Sequence, residues 1–492
     1  MTGLLLAVVV VACGTVPALA VGGLSPSTPF LIPLATALIA GTGAIGEFLA
    51  PGSFVVWFVG AAVVLNGAAV AVLRGGSRDR RRRRRGWSGW DWLQLVVITA
   101  AVSWPLMVLT APIIGYDTQA IWLLHAAMIY AGHPVLVRDL TNHLYFLANP
   151  DYPPLAPASM AVGYVVGGGV DQHLAVVVVA ALNASATGLT ATGILRLVPE
   201  RLSPWRRAAS LVAAAALCDA IFGVGGQYAL NGYADVLWST AAASAAVFGV
   251  LLPVSRRNLG IAAFCLAVAA ITKNEGMVMP LAIGLLMAWR VWRPMGGGRQ
   301  ALRALLLAGG PFLPAAVWAL VVRARHIKDA FFASGSHEAA SYRLGVTIPA
   351  VWDQVYLLPV AAAVALTGWW VLGSERRSLG AGPSGHLWIV LAWALLTLVG
   401  VYTFGSLSIH WWLSHSVSRT TMFMNVVMLI DMVAWSLVWL ARGTPGPSGR
   451  HFAKRRDTRD QRPSLSRPTA ATSSPTAVTS ATQSPHFHAA GS

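Results

Sequence analysis

Charged residues are scarce in this sequence. Only 11% of its 492 residues are Asp, Glu, Lys or Arg, whereas 56% are hydrophobic. Soluble domains carry roughly 25% charged residues. A soluble fold of this length would need a charged surface that the chain cannot supply, so lipid is the natural solvent for most of it.

Cysteine is also rare, and the signatures of several soluble enzyme classes are missing. Cys13, Cys218 and Cys265 lie in or beside apolar runs, at spacings unlike those of a zinc site or a disulfide framework. The sequence has no Walker loop, no Gly-x-Ser-x-Gly elbow and no His-Glu-x-x-His motif. ATP-driven transport is therefore unsupported, and no metal ligands are predicted.

Acidic residues are fewer than basic ones. The net charge of +17 comes from 35 Lys and Arg against 18 Asp and Glu. The basic residues occur in short clusters between apolar runs and in the C-terminal tail, which is the positive-inside pattern of membrane proteins. This distribution argues against nucleic acid as a partner and for membrane lipid.

Long apolar runs are abundant, and runs of about 17 to 25 residues predict membrane-spanning helices. Thirteen are predicted, near 4–24, 30–50, 54–73, 94–112, 172–196, 206–222, 233–254, 258–272, 276–292, 301–322, 351–373, 386–404 and 420–441. The six arginines Arg80–Arg85 should stay cytoplasmic, which places the N-terminus outside and the C-terminus inside. Residues 153–170 are apolar, but a crossing there would move the Arg196–Arg207 cluster outside. They are predicted to form a juxtamembrane or re-entrant helix on the outer face.

The predicted organisation is an all-α, polytopic membrane protein. Accessory helices occupy 1–73, an Arg-rich cytoplasmic loop 74–93, and a membrane domain 94–441, with juxtamembrane helices in its large external loop 113–171. Residues 442–492 are rich in Ser, Thr, Pro and Arg and are predicted to be a disordered cytoplasmic tail.

Ionisable residues near membrane depth carry a functional hypothesis, because they are costly there. Asp117 follows a predicted span, and the segment 119–130 has the helical spacing of an interfacial amphipathic helix. Asp117 is either a functional acid or that helix's N-cap. Asp151 and Tyr152 lie further along the same loop, and Asp235 lies in another predicted external loop.

Two further positions join this predicted outer cluster. Lys273 and Glu275 occupy a short turn between spans, as a polar site or as an ordinary hairpin turn. Arg419 follows His415 in the last predicted external loop, 406–419, and breaks the positive-inside rule. A guanidinium there suits a phosphate, although a snorkelling anchor is the alternative.

The order and sidedness of these motifs resemble the GT-C superfamily of membrane glycosyltransferases, of the protein mannosyltransferase, aminoarabinose transferase and arabinosyl- or mannosyltransferase types. Gly115-Tyr116-Asp117 matches the acid of the first large external loop, and Asp151-Tyr152-Pro153-Pro154-Leu155 matches its Pro-Pro-Leu stretch. Asp235 matches a second acid two spans later, and 272–276 resembles a recurrent bacterial motif. The resemblance covers about 94–441.

This resemblance implies a sugar transferase on the outer face of the plasma membrane, which uses a polyprenyl-phosphate sugar as donor. The acceptor could be a glycan, a lipid or a protein. Asp117 is the expected base, and transfer should invert the anomeric carbon. Asp235 would bind hydroxyls or orient the site, Lys273 and Arg419 would bind the phosphate, and the weaker substrate-binding candidates are Asp151, Tyr152, Glu275 and His415.

Some alternatives stay open at this point. Many members of the family have two adjacent acids in the first loop, whereas Thr118 follows Asp117 here, so the use of a divalent metal is left open. A transporter or flippase would share the spans, but it should place ionisable residues near the bilayer midplane. A membrane scaffold would bind anionic lipid through the Arg run and tail.

Overall fold

The computed structural model describes residues 1–75, 87–108, 114–199, 202–293, 298–327, 338–371 and 383–442. Every regular element in these ranges is helical, and Met1–Arg442 forms one compact unit. The all-α prediction is therefore confirmed. The run Arg80–Arg85, Lys328 and the predicted tail beyond Arg442 lie outside the described residues.

Four helices form the N-terminal part: α1 Thr2–Gly22, α2 Thr28–Leu49, α3 Phe54–Gly75 and α4 Gly89–Val108. Helix α4 begins inside the predicted loop 74–93. Helix α2 packs against both α1 and α3. At two of these contacts, Gly14 faces the backbone of Ile32 and Gly43 faces that of Phe58. Small residues allow membrane helices to approach this closely.

The segment 114–171 folds into the bundle. It contains a π-helical turn Thr118–Leu123, α5 Leu124–Ala131, α6 His133–Thr141, a 3-10 turn His143–Ala148 and α7 Leu155–Gly167. The first ten residues of α7 are buried, and α7 packs against α2 and α5. Protein therefore covers α7. The segment 119–130 was predicted to be an interfacial helix, but most of it is buried in the protein. The buried residues of this segment, which include Trp122, Ala126 and Met128, lie on several faces of the helix, as in a buried helix.

The central part consists of α8 Gln172–Ile194, α9 Pro204–Gly225, α10 Asp235–Ala246 with a π turn to Leu251, α11 Arg256–Thr272, α12 Asn274–Val278 and α13 Leu281–Trp292. All residues of α10 are buried, and α8 and α11 pack on it. The predicted span 276–292 is two helices, because Pro280 cannot donate the backbone hydrogen bond that would join them.

The C-terminal part contains α14 Gly298–Gly309, α15 Leu313–Ala324, α16 Ala340–Gln354, α17 Leu358–Val371, α18 Gly385–Phe404, α19 Ile409–Thr420 and α20 Met422–Leu440. Two predictions are corrected here. The predicted span 351–373 covers the end of α16 and all of α17, and the two helices meet at a bend of 62° next to Pro359. The predicted loop 406–419 is mostly helix α19.

Among the described residues, eight helices are long and apolar enough to cross a membrane, or nine if α16 and α17 form one bent span. These coincide with nine of the predicted spans. The remaining four predicted spans correspond to α4, α10 with its π turn, α11, and the α12–α13 pair, which are shorter, interrupted or more polar. The chain is thus a multi-pass helical membrane protein, and the count of thirteen stays a prediction.

The two ends of the bundle carry different charges. Asp235 begins α10, whereas Arg196 packs over Phe248 and Arg290 donates to the carbonyls of Gly249 and Val250 after α10 ends. Helix α10 and its π turn, from Asp235 to Leu251, together separate these ends by roughly 25 Å. Acidic and basic groups therefore meet at one end, and arginines collect at the other.

Candidate functional site

A network of ion pairs joins distant parts of the chain at the end of the bundle where α10 begins. Arg419 Nη1 donates to Asp117 Oδ2 and lies 3.8 Å from Asp235 Oδ2. Lys273 Nζ lies 2.8 Å from Asp235 Oδ1 and 3.2 Å from Glu275 Oε1. The charges thus alternate in sign from Asp117 to Glu275, and we call these five residues the ionic network.

Asp117 is held in place by its backbone. Its N–H donates to Tyr233 Oη at 3.3 Å, and the Thr118 hydroxyl donates to the Asn231 carbonyl at 2.7 Å. Gly115 is needed beside it, because a Cβ there would overlap the Tyr233 ring. The Asp117 carboxylate makes no capping bond to the π-helical turn. Asp117 therefore occupies the N-cap position of that turn without capping it, and its side chain is bonded to Arg419 instead.

Arg419 lies in the last turn of α19 and points into the bundle. Its Nε donates to the His415 carbonyl at 3.1 Å, and its guanidinium lies 5.2 Å from the Tyr233 ring centroid. No acceptor among the described residues engages Nη2. The side chain is only 12% exposed. A snorkelling anchor does not fit this geometry, whereas a guanidinium with spare donors suits an anionic ligand.

Lys273 and Asp235 form a buried ion pair, with 5% and 1% of their side chains exposed. The extended backbone at Lys273 separates α11 from α12 and allows its side chain to reach Asp235. An exposed hairpin turn, the alternative interpretation, is therefore wrong. Buried pairs add little stability compared with apolar residues of the same volume, so their presence needs another reason.

Asp151 and Tyr152 form the wall next to Lys273. The Asp151 carboxylate accepts from Asn274 Nδ2 at 2.6 Å, and its carbonyl accepts from Trp318 Nε1 at 2.7 Å. The Tyr152 ring stacks on Trp122 at 5.4 Å and faces Lys273 Nζ at 5.5 Å. Burial raises the pKa of the Tyr152 hydroxyl well above its usual value, so it stays protonated at neutral pH.

His415 is the predicted site residue that the fold does not bring into this cluster. Its Nδ1 lies 2.7 Å from the Trp411 carbonyl and 2.9 Å from Ser414 Oγ, and its ring stacks on Trp411. Only its backbone carbonyl contacts Arg419. The imidazole is engaged instead by Trp411, one turn earlier in α19, and does not enter the ionic network.

Several residues of this region were not predicted from sequence. Asn274 binds Asp151, while Tyr228 and Tyr233 flank the Arg419 guanidinium. Both tyrosines occur in the short segment that precedes Asp235, which was the available signal. His125 is buried nearby, and burial lowers its pKa to about 4, so this imidazole is neutral at pH 7.

Asp431 is a further acid that sequence analysis passed over. It is buried inside α20 and accepts from Ser384 Oγ at 2.8 Å and from Trp388 Nε1 at 3.3 Å. It is the single acid in an otherwise apolar helix, which could have marked it. The acids predicted from sequence as site residues lie near the ends of predicted spans, whereas Asp431 lies inside one, 420–441.

Two features of the described residues bear on which ligands the protein can hold. No group of three or more His, Cys, Asp and Glu there is placed to hold a metal ion. An apolar cavity of about 240 Å³ lies between α1, α2, α7 and α8, with Leu6, Ala37 and Val162 among its lining residues. Helix α7 connects this cavity to the wall formed by Asp151 and Tyr152.

Comparison with known proteins adds no relative. No protein-family model matches the chain, and no curated protein or solved structure matches it significantly. What the site does is therefore argued from its own geometry.

Proposed function

We propose that this chain is a membrane glycosyltransferase that moves a sugar from a polyprenyl-phosphate donor to an acceptor. The observation that carries the proposal is the pairing of Asp117 with Arg419 beside Asp235 and Lys273. Residues more than 300 positions apart meet there, and the side chains of Asp117 and Arg419 stay 24% and 12% exposed. Ionisable groups at such a depth in a membrane protein mark functional sites.

The chemistry needs a base and a cationic phosphate site. The acceptor oxygen attacks the anomeric carbon, the bond from that carbon to the phosphate oxygen breaks, and the phosphate leaves with the electron pair. The Asp117 carboxylate, which is 24% exposed, takes the proton of the acceptor hydroxyl. Arg419 Nη2 and the Lys273 ammonium stabilise the leaving phosphate. A single attack of this kind inverts the anomeric carbon.

Asp235 acts differently from the exposed acid. Its side chain is 1% exposed and accepts from Lys273, so it holds the two cations in register. We assign Asp235 to positioning of Lys273 and Arg419. This replaces direct binding of hydroxyls as the first role for that residue.

The remaining features of the proposal concern the membrane. Thirteen spans, with the ionic network outside and the arginine-rich end in the cytoplasm, follow the positive-inside rule. Apolar surfaces between helices, such as the cavity beside α7, supply walls for the prenyl chain. The expected location is the plasma membrane. The acceptor could be a glycan, a lipid or a protein.

The test measures sugar transfer by full-length protein in lipid nanodiscs. Synthetic undecaprenyl-phosphate mannose, glucose and arabinose are the donors, and a detergent extract of bacterial envelope glycans supplies acceptors. Asp117→Asn keeps the size of the side chain but removes the base, and general-base catalysis contributes about 10²- to 10⁴-fold. We expect a loss in that range with unchanged thermal unfolding.

Asp171→Asn is the matched control, because Asp171 is an exposed carboxylate that caps α8 through Leu174 N–H. This variant should keep full activity. Transfer or donor hydrolysis that is equal in Asp117→Asn and wild type would remove the role given to Asp117. If the wild-type protein neither binds nor turns over any donor, the glycosyltransferase proposal itself is contradicted.

A transporter or flippase is the second candidate, and Asp431 is the observation that favours it. An acid buried within a membrane helix is typical of ion-coupled transport. Its carboxylate is already bonded to Ser384 and Trp388. Movement of labelled undecaprenyl phosphate across proteoliposomes that is lost in Asp431→Asn, without any sugar transfer, would support this candidate instead.

A further inference from the structure

The Glu275 carboxylate has one oxygen engaged and one oxygen without a partner. Oε1 lies 3.2 Å from Lys273 Nζ. Oε2 is shielded from solvent and accepts no hydrogen bond from the described residues. A charged acceptor left unsatisfied in this way costs more free energy than an unsatisfied neutral group. Such an exception in a folded protein calls for a donor that the protein itself does not supply.

Lys273 does not need Glu275. The Lys273 ammonium lies closer to Asp235, at 2.8 Å, and that pair is the more deeply buried one. Asn274, the neighbour of Glu275, is occupied by Asp151. The segment 273–275 is therefore anchored on both sides without Glu275, so anchoring does not explain why a carboxylate stands at this position.

The charges around Glu275 restrict what can bind there. The ionic network contains three carboxylates, Asp117, Asp235 and Glu275, and two cations, Lys273 and Arg419. A phosphate would be repelled by Oε2, and an apolar group would leave it unsatisfied. A neutral hydroxyl group provides the missing donor. The buried Asp235 Oδ2 also accepts no hydrogen bond, and it lies on the same network.

We infer that Glu275 Oε2 accepts a hydrogen bond from one hydroxyl group of the transferred sugar and thereby selects the sugar. This inference rests on the proposed function. Glu275 stands two residues from Lys273, a proposed phosphate-binding cation, and a sugar joined to that phosphate lies within reach of its side chain. The Glu275 side chain is 21% exposed through its other atoms, so a ligand can approach the residue and meets the enclosed Oε2 when the side chain rotates toward it.

The test combines a deletion in the protein with a deletion in the donor. Full-length protein in nanodiscs receives the undecaprenyl-phosphate sugar that it transfers, together with the monodeoxy analogue of that donor for each hydroxyl. In wild type, one analogue should lose about 10- to 100-fold in kcat/KM, which is typical of a hydrogen bond to a charged group. Glu275→Ala should lose a similar factor with the parent donor and should no longer distinguish that one analogue.

Controls separate this role from a structural one. Glu275→Gln keeps the shape and a neutral acceptor, so it should retain partial discrimination at the same hydroxyl. Asp171→Asn should discriminate like wild type. Binding of undecaprenyl phosphate without sugar should be unchanged in Glu275→Ala, because the cations that hold the phosphate remain.

Two results would overturn the inference. If transfer occurs but every deoxy analogue loses the same factor in wild type and Glu275→Ala, Oε2 is satisfied by water and not by the sugar. The proposed function would then stand alone. If wild type neither binds nor transfers any donor, both proposals fall together.

Discussion

Replacement of Lys273 by methionine tests what the buried part of the ionic network does for the fold. Methionine has nearly the length of lysine without its charge. The substitution leaves the Asp235 carboxylate buried, since 1% of that side chain is exposed, and removes its 2.8 Å partner. We therefore expect a large loss of stability from a small change in shape.

The magnitude follows from the geometry. Removal of one partner of a buried ion pair destabilises proteins by about 3–5 kcal/mol, because a charge is left uncompensated. Arg419 remains 3.8 Å from Asp235 Oδ2 and compensates part of this charge. We therefore expect the lower end, a decrease of about 3 kcal/mol in the free energy of unfolding. Lys273→Met/Asp235→Asn should recover most of that loss, since the most deeply buried carboxylate is then removed; Glu275 also loses Lys273, but its side chain is 21% exposed.

The assay is equilibrium unfolding in mixed detergent micelles, followed by helical circular dichroism. Arg138→Met is the control at a more exposed pair: 71% of the Arg138 side chain and 12% of the Asp139 side chain are exposed, so its loss should be smaller than that of Lys273→Met. The double variant should fold but transfer no sugar, since it removes Lys273, a proposed phosphate-binding group, and the Asp235 carboxylate that positions Lys273 and Arg419. If the free energy of unfolding of Lys273→Met lies within about 1 kcal/mol of the wild-type value, the burial argument is refuted.

Three further predictions follow from other contacts. Arg343 is fully buried and donates to the carbonyls of Tyr402 and Leu407, so Arg343→Met should lower the thermal unfolding midpoint clearly, and an unchanged midpoint would contradict that role. Gly115→Ala places a Cβ against the Tyr233 ring, so it should reduce transfer more than stability, as measured by kcat beside the unfolding midpoint. In a background without native cysteines, Ser414→Cys should react with an impermeant maleimide on intact cells and Val254→Cys only after permeabilisation; the reverse pattern would invert the proposed sidedness.

The sequence was sufficient for the class of protein. Preference for lipid is a property of each side chain and sums over a run of residues, so composition and run length predicted a helical membrane protein without any knowledge of contacts. The same local rule predicted most long helices to within a few residues. It failed where a proline interrupts a run, as at Pro280, and for 119–130, where apolar residues serve the protein interior instead of the headgroups.

The polar motifs were also visible in the sequence, but their partners were not. Asp117 could equally have been a helix cap, Lys273 an exposed turn and Arg419 a membrane anchor, because each interpretation uses the same residue type at the same position. The structure decides among them through burial and distance: Asp117 bonds to Arg419, and Lys273 bonds to Asp235.

Tertiary packing alone decided which predicted groups meet. His415 and Arg419 are four residues apart on one helix, yet only the arginine points into the network. Residues four apart lie on nearly the same face of a helix, so helix rotation does not separate them. The partners of each side chain do: the His415 ring is held against Trp411, whereas Arg419 bonds to Asp117. Glu275 Oε2 without a donor, and the bonds from Ser384 and Trp388 to Asp431, are likewise properties of the packed bundle, since a linear sequence carries no record of what surrounds a side chain.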